Sequence, residues 1–166
     1  MAVVDIYVNE DTENGKLAQA AKCQGNKVVT IVQSFETGAT DGNGSVYRVF
    51  PDLNPCLIPV DIKIMNDATG AANSDFDLGL GLYCGEKGEV IDADCFYDGL
   101  NIKTANAGTP VNGLTALDIA NIGKQLFEIA GHTIANRKDT YDIALTANTA
   151  PAAAGTVTVV GTFLQG

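Results

Sequence analysis

The stretch Leu57–Ile102 reads as three strands joined by short polar turns: LIPVDIKIM at Leu57–Met65, FDLGLGLYC at Phe76–Cys84 and VIDADCF at Val90–Phe96. In the first, Ile58, Val60, Ile62 and Ile64 alternate with Pro59, Asp61, Lys63 and Met65, the period of a strand with one buried face. In the second, Phe76, Leu78, Leu80, Leu82 and Cys84 fall on one side, and Asp77, Gly79, Gly81 and Tyr83 on the other. Two glycines on one face leave room for another backbone or side chain to come close. In the third, Ile91, Ala93 and Cys95 are expected inward and Asp92 and Asp94 outward. None of these residues forms a reaction centre.

Working outward, Val28–Phe35 is β-branched and apolar and reads as a strand, and in Ser45–Phe50 Val46, Arg48 and Phe50 lie opposite Tyr47 and Val49, with Pro51 and Pro55 expected to interrupt the ladder. Tyr141–Ala147 and Val157–Phe163 supply two more. A single α-helix is expected near residues 116–130. Thr115 and Asp118 resemble a capping box, Ile119, Ile122, Leu126 and Ile129 recur at helical spacing, and Gly131 suits the position just past the end. That stripe reads as core, and Gly123 within it as a site of close packing. About eight half-polar strands each need an opposing sheet, which predicts a mainly β, antiparallel two-sheet β-sandwich of jelly-roll type. Residues 1–27 read as an N-terminal arm or edge segment, and 28–166 as the sandwich.

The chain has 166 residues, one domain's worth, and a net charge of -10. That charge disfavours nucleic acid as a partner, since affinity for phosphates comes from Lys and Arg displacing counterions. Only 18% of residues are charged, so much of the surface must be neutral. No run approaches the roughly 18 apolar residues of a membrane span. The opening MAVVDIYVNED carries Asp5 and no basic flank, unlike a secretory leader. Cys23, Cys56, Cys84 and Cys95 form no CxxC pair and are expected as free thiols in a reducing compartment.

Acids gather at Asp75, Asp77, Asp92, Asp94 and Asp98. Carboxylates on strand ends could hold Ca²⁺, a hard ion that takes six to eight oxygens, although outward acids on a solvated face explain them without a metal. Asp75 or Asp77 paired with Asp92 or Asp94 could also serve a glycoside hydrolase, but with no Trp a sugar platform would have to be built from Tyr or Phe. His132, the single histidine, reads as a cap at the helix end or a surface residue. No phosphate-binding glycine loop is present.

GSVYRVF at Gly44–Phe50, IPVDIKIMNDA at Ile58–Ala68, DFDLGLGLY at Asp75–Tyr83, VIDADCFYDGLNI at Val90–Ile102, LTALDIANIGKQLFEIAGH at Leu114–His132, and TYDIALTANT with the closing AAAGTVTVVGTFLQG together resemble capsid decoration, or cement, proteins of tailed bacteriophages. The resemblance covers roughly Val28–Gly166. It implies a small virion structural protein, made in the host bacterial cytoplasm, that binds the capsid exterior with the major capsid protein as partner and stabilises the assembled head, with no cofactor and no enzymatic step. A tail- or fibre-associated host-binding protein is the alternative. In that setting Val3, Ile6 and Tyr7 are candidate capsid contacts, because an arm can order on binding. A homo-oligomer, such as a trimer, is a further expectation.

Overall fold

The computed structural model describes residues 5–7, 27–69, 75–83, 89–106, 108–133 and 140–165. Its strands are β1 (Asp5–Tyr7), β2 (Val28–Thr37), β3 (Val46–Leu53), β4 (Leu57–Asn66), β5 (Asp75–Tyr83), β6 (Glu89–Asn101), β7 (Val111–Asn112), β8 (Thr140–Thr149) and β9 (Gly155–Gln165). One sheet runs β2-β9-β4-β7 and the other β1-β3-β8-β5-β6. From β2 onward, the first, eighth, third and sixth strands face the second, seventh, fourth and fifth. This is the jelly-roll arrangement of two Greek keys, and the expected two-sheet sandwich holds. Among the described strands, β1 alone pairs in parallel, with Ile6 opposite Tyr47 and Tyr7 opposite Arg48 on β3.

The core lies between the sheets. Tyr47, Phe50 and Leu53 of β3, Phe76, Leu78 and Leu80 of β5, and Tyr141, Ile143 and Leu145 of β8 meet Ile62 and Ile64 of β4 and Val157, Val159 and Phe163 of β9, all buried. Phe50 and Phe163 pack edge to face, with ring centroids 5.7 Å apart. Gly161 makes room for them, since a Cβ there would lie 2.8 Å from the Phe50 ring and 2.7 Å from that of Phe163. β3 continues through Pro51 to Leu53 by irregular steps in register, with Asp52 at a φ of 54°.

Two expectations change. β4 does not keep one phase, because its register with β9 shifts between Pro59 and Asp61. A bulge inserts a residue and turns the side chains after it over. Ile62 and Ile64 therefore point inward as expected, but Val60 points out, 55% exposed, and Ile58 is half-buried, while Leu57 is buried. The helix is also shorter than its apolar spacing suggests. A 3₁₀ turn spans Ile119–Asn121, and α1 spans only Leu126–Ile129. Ile122 is extended and Gly123 has a φ of +79°, a conformation that glycine tolerates and an α-helix cannot contain. The stripe is thus cut in two. Leu126 and Phe127 enter the core, whereas Ile119 and Ile122 are 84% and 66% exposed. Gly131, just past α1, takes the expected left-handed turn with a φ of +73°.

Candidate functional site

The outer faces of the two sheets differ. On the five-stranded sheet, β6 bulges over its neighbour: between Leu78 and Leu80 of β5 the partner shifts from Tyr97 to Asp92. The extra residues lie across the glycine side of β5. A Cβ on Gly79 would sit 2.1 Å from the Ala93 carbonyl carbon, and one on Gly81 would sit 2.3 Å from Asp142 Oδ1. Both glycines therefore serve the close approach that their placement in the strand implies. Beneath this cover the Arg48 guanidinium donates to the Asp142 carboxylate, both side chains almost wholly buried. The hollow between Val46, Arg48, Val90, Ala93 and Asp142 has room for about one water molecule.

The four-stranded sheet is open on its outer side. Val28, Thr30, Val32, Ser34 and Glu36 of β2 are exposed, and Thr156, Thr158, Val160, Thr162 and Leu164 of β9 are half-buried. The register lines them into rows. Val28, Leu164 and Ile58 form one row, and Val32, Val160 and Lys63 another. Hydroxyl pairs join the strands at Ser34–Thr158 (2.8 Å) and Thr30–Thr162 (3.4 Å). Among the outward side chains of β2, β9 and β4, only Glu36, Asp61 and Lys63 are charged, and the last two form an ion pair at 3.1 Å. A chain of net charge -10 thus carries a broad, almost neutral face of Val, Ile, Leu and Thr, and a contiguous surface of that kind marks an interaction site. The alternation of β9 was legible in the sequence, and β2 was legible there as a strand, but the openness of this face was not.

The predicted acids separate into two groups. Asp77 is buried and already engaged, accepting from the Gly99 N–H at 3.0 Å and from the Asn148 side-chain amide at 2.7 Å. Burial, and then the charges of Asp77 and Asp98, hold the Asp75 carboxyl above its ordinary range. Asp92 and Asp94 lie farther along β6 and are exposed. Asp94 titrates above its ordinary range, first through its hydrogen bond to Asp92. Among the described residues no group of three or more His, Cys, Asp or Glu side chains is placed to hold a metal.

Asp75 yields a pH prediction. Its pKa is higher folded than unfolded, so its stabilising contribution is full below the unfolded pKa and is lost as pH rises through the folded one. Asp75→Asn should raise Tm at neutral pH and leave it little changed in strong acid, as thermal melts at the two pH values would show. An unchanged neutral Tm would count against it.

His132 does not cap with its ring: its backbone N–H donates to the Phe127 carbonyl at 2.8 Å, while Nδ1 lies 2.6 Å from the hydroxyl of buried Tyr141. Cys56 and Cys95 are free and half-buried, and burial pushes the Cys95 thiol up to about 12, the environment of an inert thiol. Cys23 and Cys84 lie outside the described residues, as does Val3. Ile6 and Tyr7 lie in β1, at the edge of the five-stranded sheet. No helix among the described residues is long and apolar enough to cross a membrane.

No protein-family model matches the chain, and no curated protein sequence does. Among solved structures, a chain from the capsid of Ralstonia phage GP4 is similar, with a TM-score of 0.55 over 87% of this chain and 88% of that one, at 14% identity. The chain therefore shares the fold of a phage capsid component along nearly the whole of both polypeptides.

Proposed function

We propose that the protein is a non-enzymatic virion structural protein that binds the outer surface of an assembled phage head and stabilises it, with the major capsid protein as its partner. The observation that carries this reading is the fold likeness to a capsid chain over 87% of the sequence. The open sheet face supports it, because a protein that must stay dispersed when free and still dock needs overall charge together with a limited neutral surface. Binding only the assembled shell stabilises that shell by mass action. The first strand supplies the capsid contact through Ile6 and Tyr7, which belong to β1 at a sheet edge, together with Val3, which precedes them in the sequence. Copies associate with one another on the shell, as a trimer.

Purified protein added to undecorated heads should bind saturably, at a fixed ratio to capsid subunits, and should raise the temperature at which the heads rupture. Ile6→Asp with Tyr7→Ala should weaken that binding roughly tenfold or more, a loss of about 1.4 kcal/mol. Absence of any binding to heads, or labelling confined to the tail, would discard the reading.

A further inference from the structure

β2 ends the four-stranded sheet, and among the described residues no strand pairs with its outer edge. Its register with β9 runs unbroken from Val28 opposite Leu164 to Thr37 opposite Gly155. The Gln165 N–H donates to the Lys27 carbonyl at 2.9 Å, which fixes the phase of that ladder. In an antiparallel strand the N–H and C=O of one residue point to the same side, and the side alternates along the chain. The odd-numbered residues of β2 therefore bond to β9, while Val28, Thr30, Val32, Ser34 and Glu36 aim their backbone groups away from it. Such an edge is a template for another strand, and folds blunt it with charge, proline, a bulge or shortness. The other three edges are blunted in these ways. β1 has three residues and β7 two, and β6 is irregular in register and presents Asp92, Asp94 and Asp98 to solvent. β2 has ten residues, and from Val28 to Phe35 it contains neither a charge nor a proline.

We propose that β2 pairs antiparallel with β2 of a second copy, about a two-fold axis at Val32, so that two four-stranded sheets become one continuous sheet. Three observations point to a second copy. The first is register. Centred on Val32, the pairing sets Val32 against itself, Thr30 against the second copy's Ser34 and Val28 against its Glu36, and every edge-facing residue finds a backbone partner. The second is the side chains that share those rungs. Thr30 already meets the Thr162 hydroxyl, and Ser34 that of Thr158, within one copy. Across the axis Thr30 meets Ser34, so hydroxyl continues to hydroxyl, and the Val160–Val32 rung continues into valines. The third is charge. From residue 27 to residue 37 the charged residues are Lys27 and Glu36, opposite in sign and at opposite ends of the strand. Antiparallel self-pairing brings Lys27 beside the second copy's Glu36 at both ends, whereas parallel pairing would set like against like. A strand of other origin would need this order of hydroxyl, valine and charge read backwards; a second β2 has it by symmetry.

A two-fold contact uses the same edge on both copies and closes at two. It is therefore separate from the trimer proposed on the shell, and it is tested on the free protein, so that its failure leaves capsid binding to be judged on heads. Sedimentation velocity over a concentration series should show the mass doubling reversibly. Val32→Lys sets two like charges against each other on the axis and should weaken the doubling roughly tenfold or more. Val32 is 57% exposed, so the thermal melt should match the parent's. Introduced thiols test the register independently. Under mild oxidation Val32→Cys should couple to itself, since residues opposed in a hydrogen-bonded pair lie about 5.5 Å apart at Cα, within disulfide reach. Thr30→Cys should not couple to itself, because its counterpart lies roughly 14 Å away along the paired strands, but a mixture of Thr30→Cys and Ser34→Cys copies should couple. Mass spectrometry of the joined peptides separates these products from those of the native cysteines. A parent whose mass never doubles, a Val32→Lys protein that doubles like the parent, or Thr30→Cys coupling to itself as readily as Val32→Cys would each overturn the proposal.

Discussion

Gly79→Ala is expected to cost about 3 kcal/mol or more of folding stability, at the upper end of what an added methyl does in a packed interior. The new Cβ would have to occupy a point 2.1 Å from the Ala93 carbonyl carbon and 2.2 Å from the carbonyl oxygens of Ala93 and Asp92. Those are backbone atoms of β6, which cannot rotate aside as a side-chain tip can. Relief requires β6 to lift from β5, uncovering the hollow above Arg48 and Asp142. Gly108→Ala is the matched control, since a Cβ there meets nothing within 4 Å. Urea unfolding of the two variants should separate them by most of the predicted cost. A Gly79→Ala protein as stable as the Gly108→Ala one would mean that β6 does not lie against this face.

Those glycines also mark how far the chain alone could be read. Their positions in an alternating strand imply a close approach, and the structure supplies one at each; the left-handed turn at Gly131 was legible in the same local way. The strand segments likewise suffice for a two-sheet sandwich, because each half-apolar strand has one face to hide. Readings that depend on distant partners failed. Val60 continues a perfect alternation in the sequence, and only the pairing of β4 with β9, a strand about a hundred residues away, introduces the shift that turns it outward. Ile119 and Ile122 share a helical stripe with Leu126, yet Gly123 at a φ of +79° separates their phases.

The open face was hidden in the sequence for a related reason. Alternation says that each sheet has an outer side, but not which outer side another part of the chain will cover. The bulge of β6 over β5 covers Asp142 and Arg48 on one sheet, whereas the Val and Thr rows of the other are exposed or half-buried. Of the acids that suggest metal or hydrolase chemistry in the sequence, Asp77 is taken up structurally, holding Gly99 of β6 and Asn148 of β8, while Asp92 and Asp94 stay exposed.

Arg48→Met, and separately Asp142→Asn, should each destabilise the protein by about 3–5 kcal/mol, since removing one member of a buried pair strands the charge or polar group of the other. The two side chains are 4% and 1% exposed. They come from adjacent strands, with Arg48 opposite Ala144 in the β3–β8 ladder, and they lie under the β6 bulge that Gly79 permits. The pair need not be a large source of stability, because desolvating two charges offsets most of their attraction. Arg48→Met/Asp142→Leu should therefore recover much of what either single change loses. A double-mutant cycle followed by urea unfolding measures this directly. Singles costing less than about 1 kcal/mol would show that water reaches the pair in solution, and that the cover over this face opens. A double variant as unstable as the sum of its parts would instead show that each side chain is held by partners other than its counterpart.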